Sequence, residues 1–454
     1  MPDTATQVGV AAFSIVTSVV LVRAIVKTFK RDRDQWSSGA LFGATIVILT
    51  FSFVQLLATY TDSWVKLVDV YRDVSYGVPA WGQACLRVVM VFTSIAGIWL
   101  FFRGLRRKDA YVNVPVVLLI LVMLTSMGSA LLSGDLPLQS FSLVYLCILM
   151  ACVFSQRGLS VHLGIATVCV IAAVLSGVAL IMHGDFSVIE CKAGYKCGIF
   201  GFNFRGVLDN ENALALYLSL AMPFVYIAFR GWEGIVMCAY MTTMILMTGS
   251  RSGTLAALAT LAALLIMRPD IRNPERAPLR SAIMGTGLLA IIAVGVLLPF
   301  VVRDPEALTG RSDLWQIARN ALTDPAVFFR GTGMFGWHHV HEQGLINASA
   351  VYSVHNQWLH VLFSTGIVGL ILFLAAILTL LWQARDGYFL VAACVLLPCF
   401  ILSATERPWP IDTADWLTWA VPGALLCYPV RRAAAQATAP DTFVATPTAA
   451  GVLR

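Results

Sequence analysis

The chain has 454 residues, of which 58% are hydrophobic and 12% are charged, and its mean hydropathy is +0.79. Soluble domains carry roughly 25% charged residues, so this composition excludes a soluble globular protein and indicates an integral membrane protein. The net charge of +6 is small for this length. Because the basic residues gather in particular loops rather than over one face, nucleic-acid binding is not expected.

Apolar runs recur along the chain, each close to the roughly 20 residues that a helix needs to cross a bilayer. Lipid cannot satisfy unpaired backbone groups, and the runs do not alternate as barrel strands would. The sequence therefore predicts an all-α polytopic helical bundle of about 12 to 13 spans. The predicted spans are 7–26, 38–59, 82–102, 112–132, 138–154, 160–182, 210–229, 234–248, 253–267, 281–302, 355–382, 387–403 and 414–428.

The basic residues between these spans predict an orientation. If segment 27–33 is cytoplasmic, alternation places most other Lys and Arg, including those of 268–280 and the pair 431–432, on the same side. This distribution agrees with the positive-inside rule. The N-terminus and the long loop 303–354 then lie outside. The tail 431–454, rich in Ala, Thr and Pro, is predicted to be disordered and cytoplasmic.

The outward loop before the span 210–229 contains two of the ten cysteines, Cys191 and Cys197. The other eight lie in apolar runs, where a thiol behaves as a small hydrophobe. An oxidising exterior permits a disulfide between these two residues, and the alternative is two free thiols. Arg205 follows in the same loop.

The turn from Thr248 to Gly253 joins two apolar runs with very little chain between them. Arg251 is therefore held at the membrane surface between Ser250 and Ser252. A guanidinium group matches phosphate oxygens in a bidentate fork, and the next helix adds its N-terminal amides. The sequence indicates an anion-binding turn, and the alternative is that Arg251 reaches a lipid phosphate.

In the long loop 303–354, apolar residues at helical spacing predict a short amphipathic helix along the membrane surface. These residues are Leu314, Ile317, Ala318, Ala321 and Leu322.

Three histidines follow in the same loop, His338, His339 and His341. A metal site would need further ligands at suitable spacing, and Glu342 is the sole carboxylate nearby. A polar interface loop is the favoured interpretation.

His355 opens the span 355–382 and is expected in the first turn of its helix. The positive end of the helix dipole disfavours imidazolium there and keeps the ring able to accept a proton. Gly366 and Gly369 lie deeper on the same helix and predict a small-residue face that admits a neighbouring helix. The span is thus predicted to carry both a base and a packing notch.

These motifs resemble the O-antigen ligase and polysaccharide polymerase superfamily, integral membrane transferases that use polyprenyl-diphosphate-linked glycans. The most specific match is a histidine followed by Asn, Ser or Gln, then nine residues, a Gly, two residues, and a Gly, Thr or Tyr, as at His355, Asn356, Gly366 and Gly369. The turn 248–253 is similar to the family's Ser-Arg-Ser-Gly turn. The remaining likenesses are the stretch 310–315, similar to the start of the large periplasmic loop, and the looser match at Arg205.

The resemblance covers residues 199–369 and implies a transferase domain over residues 1–430. It implies that Arg205 and Arg251 hold the donor diphosphate, that His355 deprotonates or orients the acceptor hydroxyl, and that Arg311 is a further phosphate ligand. Asn356, Ser250 and Ser252 are the remaining predicted substrate contacts. The resemblance also implies an inverting reaction with no catalytic metal, and no cofactor is expected.

The implied partners are a polyprenyl-diphosphate-linked glycan donor, a hydroxyl-bearing glycan, lipid or protein acceptor, and membrane lipids. The implied location is the bacterial cytoplasmic membrane, with the site facing outward. The motifs leave open ligation to a lipid or lipopolysaccharide core, polymerisation of repeat units, and protein O-glycosylation.

A polysaccharide or lipid transporter, or flippase, is the alternative of a different class. Such proteins usually place ionisable residues near the bilayer midplane. The predicted spans instead leave residues such as His162, His360 and Asp415 near span ends, which favours the enzyme.

Overall fold

The computed structural model describes residues 4–33, 36, 38–49, 52–68, 74–107, 111–155, 159–191, 196–273, 276–304, 307–344, 354–385 and 387–428. The predicted tail 431–454 lies outside these residues. The helices of the described residues are α1 (Thr4–Arg31), α2 (Ser38–Leu49), α3 (Ser52–Tyr60), α4 (Ala80–Leu105), α5 (Val114–Leu132), α6 (Ser140–Val153), α7 (Leu159–Met182), α8 (Gly184–Ser187), α9 (Glu211–Phe229), α10 (Gly231–Met247), α11 (Arg251–Met267), α12 (Pro278–Val301), α13 (Ala307–Ala321), α14 (Pro325–Arg330), α15 (Gly336–Glu342), α16 (Gln357–Ala384), α17 (Phe389–Ser403) and α18 (Ala420–Leu425).

The predicted all-α membrane bundle is confirmed. Within the described residues, seven helices are long and apolar enough to cross a membrane, namely α1, α4, α5, α7, α9, α12 and α16. Helices α2 and α3 meet the same criterion as a pair bent by 53°. Shorter apolar helices of 14 to 17 residues, α6, α10, α11 and α17, complete the bundle. Twelve of the thirteen predicted spans thus correspond to a helix or to this bent pair.

The thirteenth prediction, a helical span at 414–428, is wrong. Helix α18 is the regular element there and has six residues. The segment nevertheless runs through the bundle: the Trp409 amide donates to Gln357 Oε1 at the start of α16 (3.1 Å), and the Tyr428 hydroxyl donates to Leu380 O near its end (2.6 Å). Those two positions lie roughly 35 Å apart along α16. We call residues 409–428 the threading segment.

The threading segment is buried among helices. Trp419 and Leu425 are fully buried, and Gly423 packs against Phe224 of α9 and Ile165 of α7. Irregular backbone is tolerated at membrane depth where protein surrounds it, because neighbouring groups can satisfy its hydrogen bonds. Hydropathy cannot separate such a segment from a helix, since both are apolar and of similar length.

Two β-hairpins, which the sequence analysis did not predict, lie between helices. Strand β1 (Val65–Val68) pairs antiparallel with β2 (Val74–Gly77), and β3 (Val188–Glu190) pairs with β4 (Phe202–Phe204). The second hairpin forms part of the loop that contains Arg205.

Helix α13 confirms the predicted amphipathic helix in the loop 303–354. Leu314, Trp315 and Ala318 are buried in a small apolar cluster with Val354 and Phe363, beside α16. The Trp315 indole donates to Val354 O at 2.8 Å. The loop therefore packs on the chain immediately before α16.

Helix α16 is interrupted at Gly366, which has φ 67° and ψ −172°. A break of this kind removes intrahelical donors from carbonyl groups of the preceding turn. The loop supplies replacements, because Thr332 N donates to Phe363 O (2.8 Å) and Gly333 N to Ser364 O (2.9 Å).

The small-residue face predicted at Gly366 and Gly369 is occupied by two different partners. A Cβ atom at Gly366 would collide with the Phe329 carbonyl of α14, and the positive φ would strain any other residue. A Cβ at Gly369 would collide with the Thr365 side chain of the same helix and would lie 3.1 Å from Thr125 Oγ1 of α5. The first glycine thus admits a short loop helix rather than a membrane span, and the second admits a span.

Candidate functional site

His355 lies one residue before the N-cap of α16, not in the first helical turn as predicted. Its backbone is in the left-handed region, with φ 48°, and the helix begins at Gln357. The imidazole therefore lies outside the helix, and a charged side chain described below, that of Glu406, contacts it directly. We call the end of the bundle where α16 begins the site end, and the opposite end the far end.

Asn356 is the N-cap of α16 and is fully buried. Its Oδ1 accepts from Leu359 N at 2.8 Å, and its Nδ2 donates to Gly295 O of α12 and to Ala404 O after α17, both at 2.9 Å. One amide group thus ties the ends of three helices together. This arrangement fixes the backbone that carries His355, and a substrate contact by Asn356 stays a prediction.

A carboxylate that the sequence analysis missed lies beside His355. Glu406, in the turn after α17, has Oε2 3.0 Å from His355 Nδ1, and its Oε1 accepts from Arg311 Nη2. The Glu406 side chain is 8% exposed, against 30% for His355 and 18% for Arg311. Burial alone would raise the pKa of Glu406, but pairing with His355 and Arg311 outweighs it and holds this pKa below its usual range.

Glu406 fixes how the imidazole can act. An ionised carboxylate accepts from Nδ1–H, so the neutral tautomer of His355 carries its lone pair on Nε2. A histidine oriented in this way by an acid is the usual arrangement of a general base. Arg311, predicted as a phosphate ligand, here balances the charge of Glu406.

The turn between α10 and α11 holds the second group of predicted residues. Ser250 is buried and caps α11, because its Oγ accepts from Gly253 N at 3.3 Å. Arg251 is the first residue of α11 and its side chain is exposed, while Ser252 is half-buried. The exposed guanidinium and the amides of the first turn can therefore meet the same anion.

The loop that follows α8 packs on this turn. Ile199 N donates to Leu246 O at 3.3 Å, and a Cβ at Gly249 would lie 2.9 Å from Gly198 N. Cys191 and Cys197 form a disulfide in this loop, which decides between the two alternatives that the sequence left open.

Arg205 lies in the same loop but is buried, with 3% exposure. Its Nε donates to Phe186 O, its Nη1 donates to Asp209 O at 3.4 Å, and its guanidinium lies 4.0 Å from the centre of the Phe186 ring. The structure thus gives Arg205 contacts that hold the loop. Its predicted contact with a diphosphate stays a prediction.

The Arg251 turn and His355 lie at the same end of the bundle. Helices α11 and α12 run in succession from the turn at Arg251 to the far end and back, and Asn356 Nδ2 bonds Gly295 near the end of α12. The starts of α11 and α16 are therefore on one side. Arg205 joins them through the packing of its loop on the turn.

Further ionisable groups lie behind His355, at the same end of the bundle. Arg407 Nη1 lies 3.3 Å from His360 Nε2, and Asp412, 6% exposed, accepts from Ser126 Oγ of α5 at 3.2 Å. Asp412 and Asp415 both belong to the threading segment. Asp415 is half-buried, and the neighbouring Ala414 N donates to Phe141 O at the start of α6, so Asp415 lies near a helix end as expected.

The loop histidines pair with carboxylates. His339 Nε2 is 2.7 Å from Asp135 Oδ2, and His338 Nε2 is 3.2 Å from Glu342 Oε1. The Asp135 hydrogen bond outweighs burial and raises the pKa of His339. This pairing attaches α15 to the loop after α5, in keeping with the polar interface that the sequence predicts.

The bundle of apolar helices defines a multi-pass membrane protein. Residues 236–374 match the family model described as O-antigen ligase. This match confirms the resemblance to the O-antigen ligase superfamily and supports, at family level, an O-antigen ligase-like or polymerase-like membrane glycosyltransferase. No curated protein and no solved structure matches the chain.

The matched residues cover part of the site. Arg251, Arg311 and His355 lie inside the match, whereas Arg205 and Glu406 lie outside it. Glu406 had a weak signal in the sequence, namely a carboxylate beside an arginine directly after an apolar run. Nothing in the sequence pairs it with a histidine 51 residues earlier.

Proposed function

We propose that the protein transfers a polyprenyl-diphosphate-linked glycan to a hydroxyl group on the outer face of a bacterial cytoplasmic membrane. The observation that carries this proposal is the hydrogen-bonded group His355, Glu406 and Arg311, at the same end of the bundle as the exposed Arg251. The family match supports the reaction class. The acceptor is a glycan or lipid, as in a ligase or polymerase, with a protein hydroxyl as the alternative within the superfamily.

His355 would act as the base. The acceptor oxygen attacks the anomeric carbon, and its proton passes to His355 Nε2, while Glu406 accepts from Nδ1–H and stabilises the imidazolium that forms. The bond between the anomeric carbon and the diphosphate oxygen breaks, and the polyprenyl diphosphate leaves with the electron pair. Attack opposite the leaving group inverts the anomeric centre.

Arg251 would stabilise the leaving diphosphate. Its exposed guanidinium and the first-turn amides of α11 present several donors where negative charge develops. Arg205 would contribute mainly by holding its loop against the Arg251 turn, since Phe186 and Asp209 already accept from its guanidinium. Ser252 would offer a further hydroxyl at the same turn.

A transporter of lipid-linked glycan is the second candidate function. The observation that favours it is the buried carboxylate of Asp412, which accepts from Ser126 of α5, because ionisable residues buried between membrane helices often mark transport pathways. An enzyme and a transporter differ in whether they need two separate compartments.

Turnover in detergent separates the two functions. Purified protein would receive a lipid-linked glycan and candidate lipid, polysaccharide and protein acceptors, and products would be identified by mass spectrometry. We expect a covalent glycan–acceptor product without a sealed membrane. Absence of any product, together with glycan movement across proteoliposomes, would overturn the transferase and support the transporter.

A further inference from the structure

Three arginines from separate parts of the chain converge at the far end of the bundle. Arg31 ends α1, Arg230 lies between α9 and α10, and Arg272 lies between α11 and α12. We call these residues the far-end cluster. Its position opposite to His355 makes it independent of the proposed transfer reaction.

Two carboxylates partly neutralise the far-end cluster. Asp32 Oδ2 lies 3.0 Å from Arg31 Nε and 2.5 Å from Arg272 Nη2, and Asp270 pairs with Arg230. Among the described residues, three guanidinium groups therefore share two carboxylates.

The guanidinium groups of this cluster are poorly solvated. The side chains of Arg230 and Arg272 are 21% and 16% exposed. Within the described part of the chain, Arg272 Nε and Nη1 are buried and have no acceptor. Burial, followed by repulsion from Arg272 and Arg31, lowers the pKa of Arg230 to about 10. Buried donors without acceptors and like charges at close range are both costly, and an anion would relieve both.

The side chain of Asp270 holds the backbone turn that carries Arg272. Asp270 Oδ1 accepts from Arg272 N (2.7 Å) and Asn273 N (3.1 Å), which fixes the turn that carries the guanidinium.

Two exposed aromatic side chains lie at the same end of the bundle as the cluster. Phe29 and Trp232 are 47% and 46% exposed, and their rings lie under the guanidinium groups of Arg33 (5.9 Å) and Arg23 (5.0 Å), respectively. Exposed aromatic residues at helix ends are typical of the level where lipid head groups meet acyl chains.

We propose that the far-end cluster binds a phosphate-bearing anion. The guanidinium groups of Arg272 and Arg230 would hold the phosphate oxygens, as arginine forks do. The source is either the head group of an anionic phospholipid, whose acyl chains would pack on Phe29 and Trp232, or free inorganic phosphate.

The test measures the thermal unfolding midpoint of the full chain, purified in uncharged detergent, by tryptophan fluorescence. Dioleoyl-phosphatidylglycerol, dioleoyl-phosphatidylcholine and inorganic phosphate are titrated in parallel. We expect phosphatidylglycerol to raise the midpoint and phosphatidylcholine not to do so, because a ligand that binds the folded state stabilises it. A rise with inorganic phosphate as well would support the proposal and identify phosphate itself as sufficient.

Arg272→Gln should weaken the apparent affinity for phosphatidylglycerol about tenfold, since charged hydrogen bonds are lost. Arg272→Gln also removes the ion pair with Asp32 and so changes the midpoint measured without ligand. The comparison therefore uses the shift in midpoint that each ligand causes in each variant. Arg272→Lys, which keeps the charge for Asp32, replaces this variant if it does not fold. Arg107→Gln, an exposed far-end arginine, is the matched control. Equal shifts in wild type and Arg272→Gln, or no shift with either anion, would overturn the proposal.

Discussion

His355 and Arg251 lie at the same end of the bundle, but the protein holds them differently. His355 is fixed by Glu406 and by its neighbour Asn356, which bonds α12 and the end of α17. Arg251 stands exposed at the start of α11, above the buried cap Ser250. The contrast suggests a division of labour, in which one group is pre-oriented for proton transfer and the other is left open for a charged ligand.

Among the variants considered, His355→Ala is expected to cause the largest loss of transfer activity. Removing the base should lower transfer by about 10²- to 10⁴-fold, while membrane insertion and expression stay normal because His355 itself caps no helix. Transfer is followed with radiolabelled lipid-linked glycan in membranes that contain equal amounts of protein. Near-normal transfer by this variant would remove the assignment of His355 as the base.

Arg251→Ala should lower transfer by about 10²- to 10³-fold, as loss of a donor to developing negative charge does elsewhere. Arg251→Lys should recover only part of this loss, because an ammonium cannot form the bidentate fork. Arg303→Ala is the matched control, since Arg303 is also an exposed arginine at the site end. If Arg251→Ala and Arg303→Ala lose the same fraction of activity, Arg251 has no special role, and the idea that it is left exposed to bind a charged ligand fails.

Glu406→Gln should have the smallest effect, a loss of about 10-fold, because a glutamine oxygen can still accept from Nδ1–H but cannot stabilise imidazolium. The lowered pKa of Glu406 also links stability to pH. Its contribution is present above the unfolded carboxyl pKa of about 4.3 and is lost as pH falls through the lower folded value.

Unfolding midpoints measured between neutral and acid pH test this linkage. Wild type should lose more stability on acidification than Glu406→Gln, and Glu190→Gln, at an exposed carboxylate, should follow wild type. Identical pH profiles for wild type and Glu406→Gln would show that the carboxylate is not paired as described.

Much of the bundle follows from sequence because long charge-free apolar runs have few alternatives to membrane helices. The segment 414–428 has the same apolar pattern without forming a long helix, since its apolar residues face other helices rather than lipid. The break at Gly366 was also hidden, because a glycine inside an apolar run fits a packing face as well as an interruption. The loop carbonyl at Phe329 that approaches it becomes visible only in three dimensions.

The sequence predicts the motif residues of the candidate site, but not the residues that these motif residues contact. His355 and Arg251 stand out because their residue types and spacing resemble a family pattern. Glu406 does not, because its importance arises from a contact with a residue far away in the chain. Likewise, the burial of Arg205 against Phe186 depends on a loop whose path no local signal predicts.

The threading segment has a consequence for how the protein is made. It carries Asp412 and Asp415 and little regular helix, so it would be expensive to pass into lipid on its own. It follows α1 to α17 in the chain, so those helices leave the ribosome before it. They must therefore already surround a protein-lined space when the segment arrives, and the segment fills that space after them.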